Sequence, residues 1–122
     1  MIYSVMTIEA ESMAILKEFL EAGEASLSAG RLTVAGVNFA KAFFMAVDLM
    51  IVQKIGIRPE NHTKRFDVVR FRFPELTLTL EQTFGFYRGT YNRKLTLEQV
   101  NFLKEVAYSV AKKTGFTEKF SE

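Results

Sequence analysis

Apolar positions recur along this chain at helical intervals. Met13, Leu16, Leu20, Gly23 and Leu27 step by three and four and so share one stripe, which Ile15, Phe19 and Ala22 widen. The pattern predicts a first helix over 7–28, with Glu9, Glu11, Glu18, Glu21 and Glu24 supplying its charge and Gly30 its stop. A second helix is predicted over 33–55. Ala35, Asn38, Ala42, Ala46 and Leu49 form one row, and Phe39, Phe43, Val47 and Met50 form the next. Small side chains let a neighbouring helix approach, and bulky ones fill the groove beside it. A helix apolar around this much of its circumference belongs at the centre of a bundle. Gly56 and Pro59 end it.

The stretch 67–80 fits two patterns. Val69-Arg70-Phe71-Arg72-Phe73 and Leu76-Thr77-Leu78-Thr79-Leu80 alternate like two strands about Pro74-Glu75. Phe66, Val69 and Phe73 also have helical spacing, as do Leu76, Leu80, Phe84, Tyr87 and Tyr91. Helices over 61–72 and 80–92 are the reading adopted, the second opened by a capping-box pattern at Thr79-Leu80-Glu81-Gln82. A second box, Thr96-Leu97-Glu98-Gln99, opens a last helix built on Val100, Leu103, Ala107, Val110 and Ala111. Lys112 and Lys113 suit its C-terminal dipole, and Gly115 closes it. The tail from Phe116 to Glu122 is expected to be loosely held. These lengths and faces predict an all-α fold: an up-and-down antiparallel four-helix bundle with a short additional helix, as one domain over 1–122.

Composition narrows the chemistry. The 122 residues hold no cysteine, which excludes disulfides, thiolate metal sites and cysteine nucleophiles. A single histidine offers no histidine-based metal centre, and neither metal nor cofactor is expected. The most apolar window, Val34 to Val52, carries Asn38, Lys41 and Asp48, which disfavours a membrane span. The first residues, Met1 to Met6, show no basic region and no cleavage pattern of a signal peptide. A cytoplasmic protein is expected.

Charge is uneven within a net +2. Residues 1–57 carry −2, residues 58–94 carry +4 and the remainder balances. The basic middle, including Arg70, Arg72 and Arg88, is interleaved with Phe66, Phe71, Phe73, Tyr87 and Tyr91. Cations among aromatics suit a nucleotide or single-stranded RNA, where phosphates are neutralised and bases stack. A solvated helix face with its rings turned inward makes the same pattern. Arg88, Tyr91 and Asn92 fall at i, i+3 and i+4, so a helix there would present them together. Arg88 then either grips a phosphate through its planar fork or pairs with an acid such as Asp48, with Tyr91 in the core. His62 is either a general base or part of the opening of the third helix with Asn61 and Thr63. Twelve Phe and four Tyr make a large apolar load, which a homodimer face would help to cover.

One run is more specific. Ala35-Gly36-Val37-Asn38-Phe39-Ala40-Lys41-Ala42-Phe43-Phe44-Met45-Ala46-Val47-Asp48-Leu49-Met50 is followed by Gly56-Ile57-Arg58-Pro59-Glu60-Asn61-His62, then Phe66, and near residue 91 by Thr-Tyr-Asn. This order resembles the HEPN family, the higher eukaryotes and prokaryotes nucleotide-binding domains, over about residues 10 to 111. The resemblance implies a dimeric helical bundle that binds nucleotides or RNA, often beside a nucleotidyltransferase partner. Some members are metal-independent ribonucleases of toxin–antitoxin systems that use an arginine and a histidine with four to six residues between them. This chain departs from that motif: Gly89-Thr90-Tyr91-Asn92-Arg93-Lys94-Leu95 follows Arg88 without a histidine, and His62 follows Arg58 with only three residues between, one short and in a different loop. The leading expectation is a nucleotide- or RNA-binding module without catalysis, with Arg88, Tyr91, Asn92, Arg70 and Arg72 as contacts. The alternatives are a ribonuclease that brings His62 to Arg88, and a bundle whose role is protein association.

Overall fold

A computed structural model describes residues 2–117, with side chains described from Glu9 onward. Five α-helices make up the described chain: α1 (Ile2–Ser28), α2 (Leu32–Ile55), α3 (His62–Arg72), α4 (Thr77–Gly89) and α5 (Leu97–Lys113). A 3₁₀ turn, Pro74–Leu76, joins α3 to α4. The fold is an all-α bundle, and among the described residues no strand occurs.

The central position of α2 follows from its composition. Fourteen of its 24 residues are buried, and α1 and α5 are its main neighbours. Leu16 and Leu20 of α1 and Val100, Leu103, Ala107 and Val110 of α5 meet its faces in one continuous core. Contacts fix the helix directions. Gly23 lies so close to the Phe39 ring that an added Cβ would sit 2.7 Å from it, while Gln53 at the far end of α2 donates to Glu9, so α1 runs antiparallel to α2. Phe39 faces Tyr108, and Gln53 also donates to the Thr114 carbonyl at 3.0 Å, so α5 runs alongside α2 in the same direction. The α2 helix is long and apolar enough to cross a membrane, but 72% of its apolar window is buried inside the bundle.

Several boundaries differ from the sequence expectation. Helix α1 begins at Ile2 rather than residue 7. The stretch 67–80 is helical and not a hairpin, but α4 begins at Thr77, before the Thr79 pattern. Pro74 occupies the first position of a 3₁₀ turn, and the chain passes from it directly into α4, so Thr79 is not at a helix end. The Thr96 box is formed in full: Thr96 Oγ1 accepts from the Gln99 amide at 3.1 Å, and the Gln99 side chain accepts from the Thr96 amide at 3.0 Å. Gly56 closes α2 with a left-handed φ of 86°. Phe116, expected in a loose tail, is buried in the core, and residues 118–122 lie outside those described.

Candidate functional site

Asp48 is the one acid on α2, and it sits inside the bundle. A buried carboxylate needs a partner. That partner is Arg65 of α3, whose Nε donates to Oδ1 at 2.7 Å and whose Nη2 donates to Oδ2 at 2.8 Å. Arg88, the cation considered for Asp48 from the sequence, is elsewhere. The third helix is positioned for this pairing by Asn61, its N-cap, which accepts from the Lys64 amide at 2.9 Å.

His62 stands one helical turn before Arg65, and its Nδ1 meets Arg65 Nη1. A guanidinium has no acceptor, so Nδ1 must carry the lone pair and the proton sits on Nε2. Burial first, and the Arg65 charge second, hold the His62 pKa below 6.5, against the opposing pull of Asp48. The ring is packed among aromatics, 4.5 Å from Phe84, 5.1 Å from Phe44 and 6.4 Å from Tyr87 between centroids. Asn61 therefore caps α3 while His62 opens it, and the histidine lone pair is already engaged. Arg58, its neighbour in sequence, turns instead to Ser12 at 3.4 Å.

Arg88 lies on the outer side of the same cluster. Its guanidinium carbon is 5.7 Å from the centre of the Phe84 ring, an arrangement of the cation–π kind. Arg88 is exposed, and no ion pair holds it among the described residues. His62 and Arg88 both rest on Phe84, so they are no further apart than their two distances to that ring combined. Tyr91 is 79% exposed, which removes the core-packing reading. Burial first, and then neighbouring Tyr91, push the Tyr87 hydroxyl pKa up. Helix α4 ends at Gly89, so Tyr91 and Asn92 belong to the turn after it rather than to its face. The turn still keeps them beside Arg88: the Tyr91 amide donates to the Arg88 carbonyl at 3.3 Å, and the Asn92 amide to that of Gly89 at 3.0 Å.

Arg70 and Arg72 are exposed at the end of α3. Arg70 makes a solvated pair with Asp67 at 3.2 Å, one turn earlier. Both arginines are separated in sequence from the Arg88 turn and lie on a different helix, and among the described residues no hydrogen bond or ion pair brings them to it. Sequence reasoning missed Arg65, Phe84 and Phe44. A lone acid in an apolar helix was the available signal that some cation had to arrive.

No protein-family model matches the chain, and no curated protein and no solved structure matches it either. Fold and site together define an all-α bundle with a histidine walled in by aromatics and, at the outer edge, an arginine with no ion pair among the described residues.

Proposed function

We propose that this chain is a HEPN-like nucleotide- or RNA-binding module without catalysis of its own. One observation carries the reading: Arg88 is exposed, pairs with no carboxylate among the described residues, and is followed in the next turn by an exposed Tyr91. A guanidinium held on Phe84 keeps its donors available for a phosphate, and Tyr91 offers a stacking face for a base. Arg70 and Arg72 are peripheral on this reading. The expected setting is a cytoplasmic homodimer, with a nucleotidyltransferase as partner in a toxin–antitoxin-like pair.

Arg88→Ala tests the reading. Mononucleotide and short-RNA binding, followed by fluorescence anisotropy, should weaken about tenfold, a loss of about 1.4 kcal/mol of the kind a charge-assisted phosphate contact supplies. Thermal unfolding should not move, because the side chain is on the surface. Unchanged binding, or an unfolded variant, would remove Arg88 from the role.

A second reading, a ribonuclease, is favoured by His62 and Arg88 sharing the Phe84 ring. It is the weaker one. A general base needs a free lone pair within reach of its proton, and the His62 lone pair faces Arg65. RNA cleavage that disappears in His62→Ala would reinstate it.

A further inference from the structure

The turn after α4 is pinned more firmly than a connecting segment requires. The Leu95 amide donates to Thr33 Oγ1 in the first turn of α2, at 3.0 Å. The Leu95 side chain is buried against Gly36, where an added Cβ would overlap its Cδ1. On one side the Thr90 hydroxyl donates to the Tyr87 carbonyl, and on the other Thr96 begins the capping box of α5. Lys94 and Arg31, the residue preceding α2, are thereby brought to the lining of one cavity of about 380 Å³. A second cavity, of about 390 Å³, shares Lys94 and Leu95 in its lining and is lined further by Arg93, Phe86, Gly85 and Gly89.

Among the described residues neither cavity has an acid in its lining, yet three cations line the pair of them. None of Arg31, Arg93 and Lys94 makes an ion pair among the described residues. Like charges gathered on one surface repel one another, and an anion laid between them relieves this. Both cavities are partly open to solvent rather than enclosed, which suits an extended polyanion better than a small enclosed ligand. Phe86 lines the second cavity, and Gly85 and Gly89 leave the α4 backbone bare beside it, since a Cβ at either would meet nothing within 4 Å. Phe86 packs edge to face on Phe102 with centroids 5.7 Å apart and is only partly covered, so the side of it that lines the cavity sets an aromatic surface beside the cations, which suits a nucleic-acid strand better than an acidic peptide.

We propose that this groove, from Arg31 past Lys94 and Arg93 to Phe86, binds the backbone of a single-stranded polynucleotide. The proposal rests on the nucleotide-binding reading of Arg88 and extends it to a strand that continues along the neighbouring surface.

The test compares wild-type protein, the double variant Arg31→Glu/Lys94→Glu and Arg88→Ala. Each is titrated with uridine monophosphate, a 12-nucleotide single-stranded RNA, its DNA counterpart and a 12-residue polyglutamate, over a salt series. Wild-type protein should bind the 12-mers at least about tenfold more tightly than the mononucleotide, with a salt slope of about −3 from about 0.7 per phosphate neutralised by Arg31, Arg93, Lys94 and Arg88. The double variant should lose that gain and about 1.4 of the slope, with mononucleotide binding and melting temperature unchanged. The RNA and DNA arms separate the two sources of the same backbone. Equal 12-mer binding by the double variant overturns the groove and leaves the Arg88 reading standing. Polyglutamate binding as tight as RNA also overturns the groove. Twelve-mer binding that depends on Arg31 and Lys94 but not on Arg88 upholds the groove and removes the Arg88 reading. No binding of any probe by wild-type protein removes both.

Discussion

Arg65 and Asp48, seventeen residues apart, form a bidentate pair inside the bundle, with both carboxylate oxygens engaged within 2.8 Å and the guanidinium 5.2 Å over the Phe44 ring. The pair ties α3, a short helix with few buried side chains, to the central helix. Removing one partner strands the other charge in a site that water reaches poorly. Asp48→Ala and Arg65→Ala should each lower unfolding free energy by about 3–5 kcal/mol. Urea denaturation measures this. The double variant Asp48→Leu/Arg65→Met should recover most of the loss, because neither charge is then left alone. Arg88→Ala, in contrast, should leave the urea midpoint in place.

His62 makes stability pH-dependent, with a sign fixed by its surroundings. Burial and the Arg65 charge hold its folded-state pKa below 6.5. The unfolded chain therefore binds the proton more readily than the folded one, and stability rises with pH in this window. The contribution is complete above 6.5 and is lost as pH falls from there through the lowered folded value. Protonation also replaces the Nδ1 lone pair with a donor facing the donors of Arg65. The chain has one histidine, so its imidazole resonance in a proton NMR titration is unambiguous. The midpoint should lie below 6.5, and Arg65→Lys should shift it, because a lysine ammonium cannot hold the same fork against both Asp48 and His62.

Much of the fold is legible from periodicity. The apolar rows of α2 announce a central helix because so few of its positions can face water, and the Thr96 box forms as its residue types require. The start of α4 is not legible, because Thr79-Leu80-Glu81-Gln82 has the chemistry of a cap without being at an end. Whether a capping pattern caps depends on whether the preceding residues are already helical, and the Pro74 turn decides that. The site is harder still. Asp48 calls for a cation, yet nothing local says which of the sixteen arrives. The choice of Arg65 over Arg88 depends on how α3 lies against α2, a tertiary fact. Arg31 and Lys94 share a cavity across 63 positions of sequence, a proximity no spacing rule contains.

The same long-range packing gives a prediction about Leu95. Its side chain fills the notch left by Gly36 and is 7% exposed. Leu95→Ala removes three buried carbons and opens a void between α2 and α5, and should cost about 2–4 kcal/mol. Thr33→Val removes only the acceptor for the Leu95 amide and should cost about 1 kcal/mol. Amide hydrogen exchange at Leu95 separates the two effects. It should accelerate in both variants, while exchange in the core of α2 should change only as far as global stability falls.

Gly85 offers the opposite case, a position where stability and the proposed binding pull apart. It lies inside α4 with a helical backbone, and an added Cβ meets nothing within 4 Å. Glycine in a helix interior loses more chain entropy on folding than alanine does, so Gly85→Ala should raise unfolding free energy by about 0.5–1 kcal/mol. No contact inside the domain accounts for glycine there. If a polynucleotide backbone approaches α4 closely, the added methyl group occupies that space, and 12-nucleotide binding should weaken although the protein has become more stable. Thermal denaturation and anisotropy on the same preparation read both quantities. Higher stability with undiminished binding would place the strand away from Gly85 and shorten the groove to the Arg31–Lys94 side.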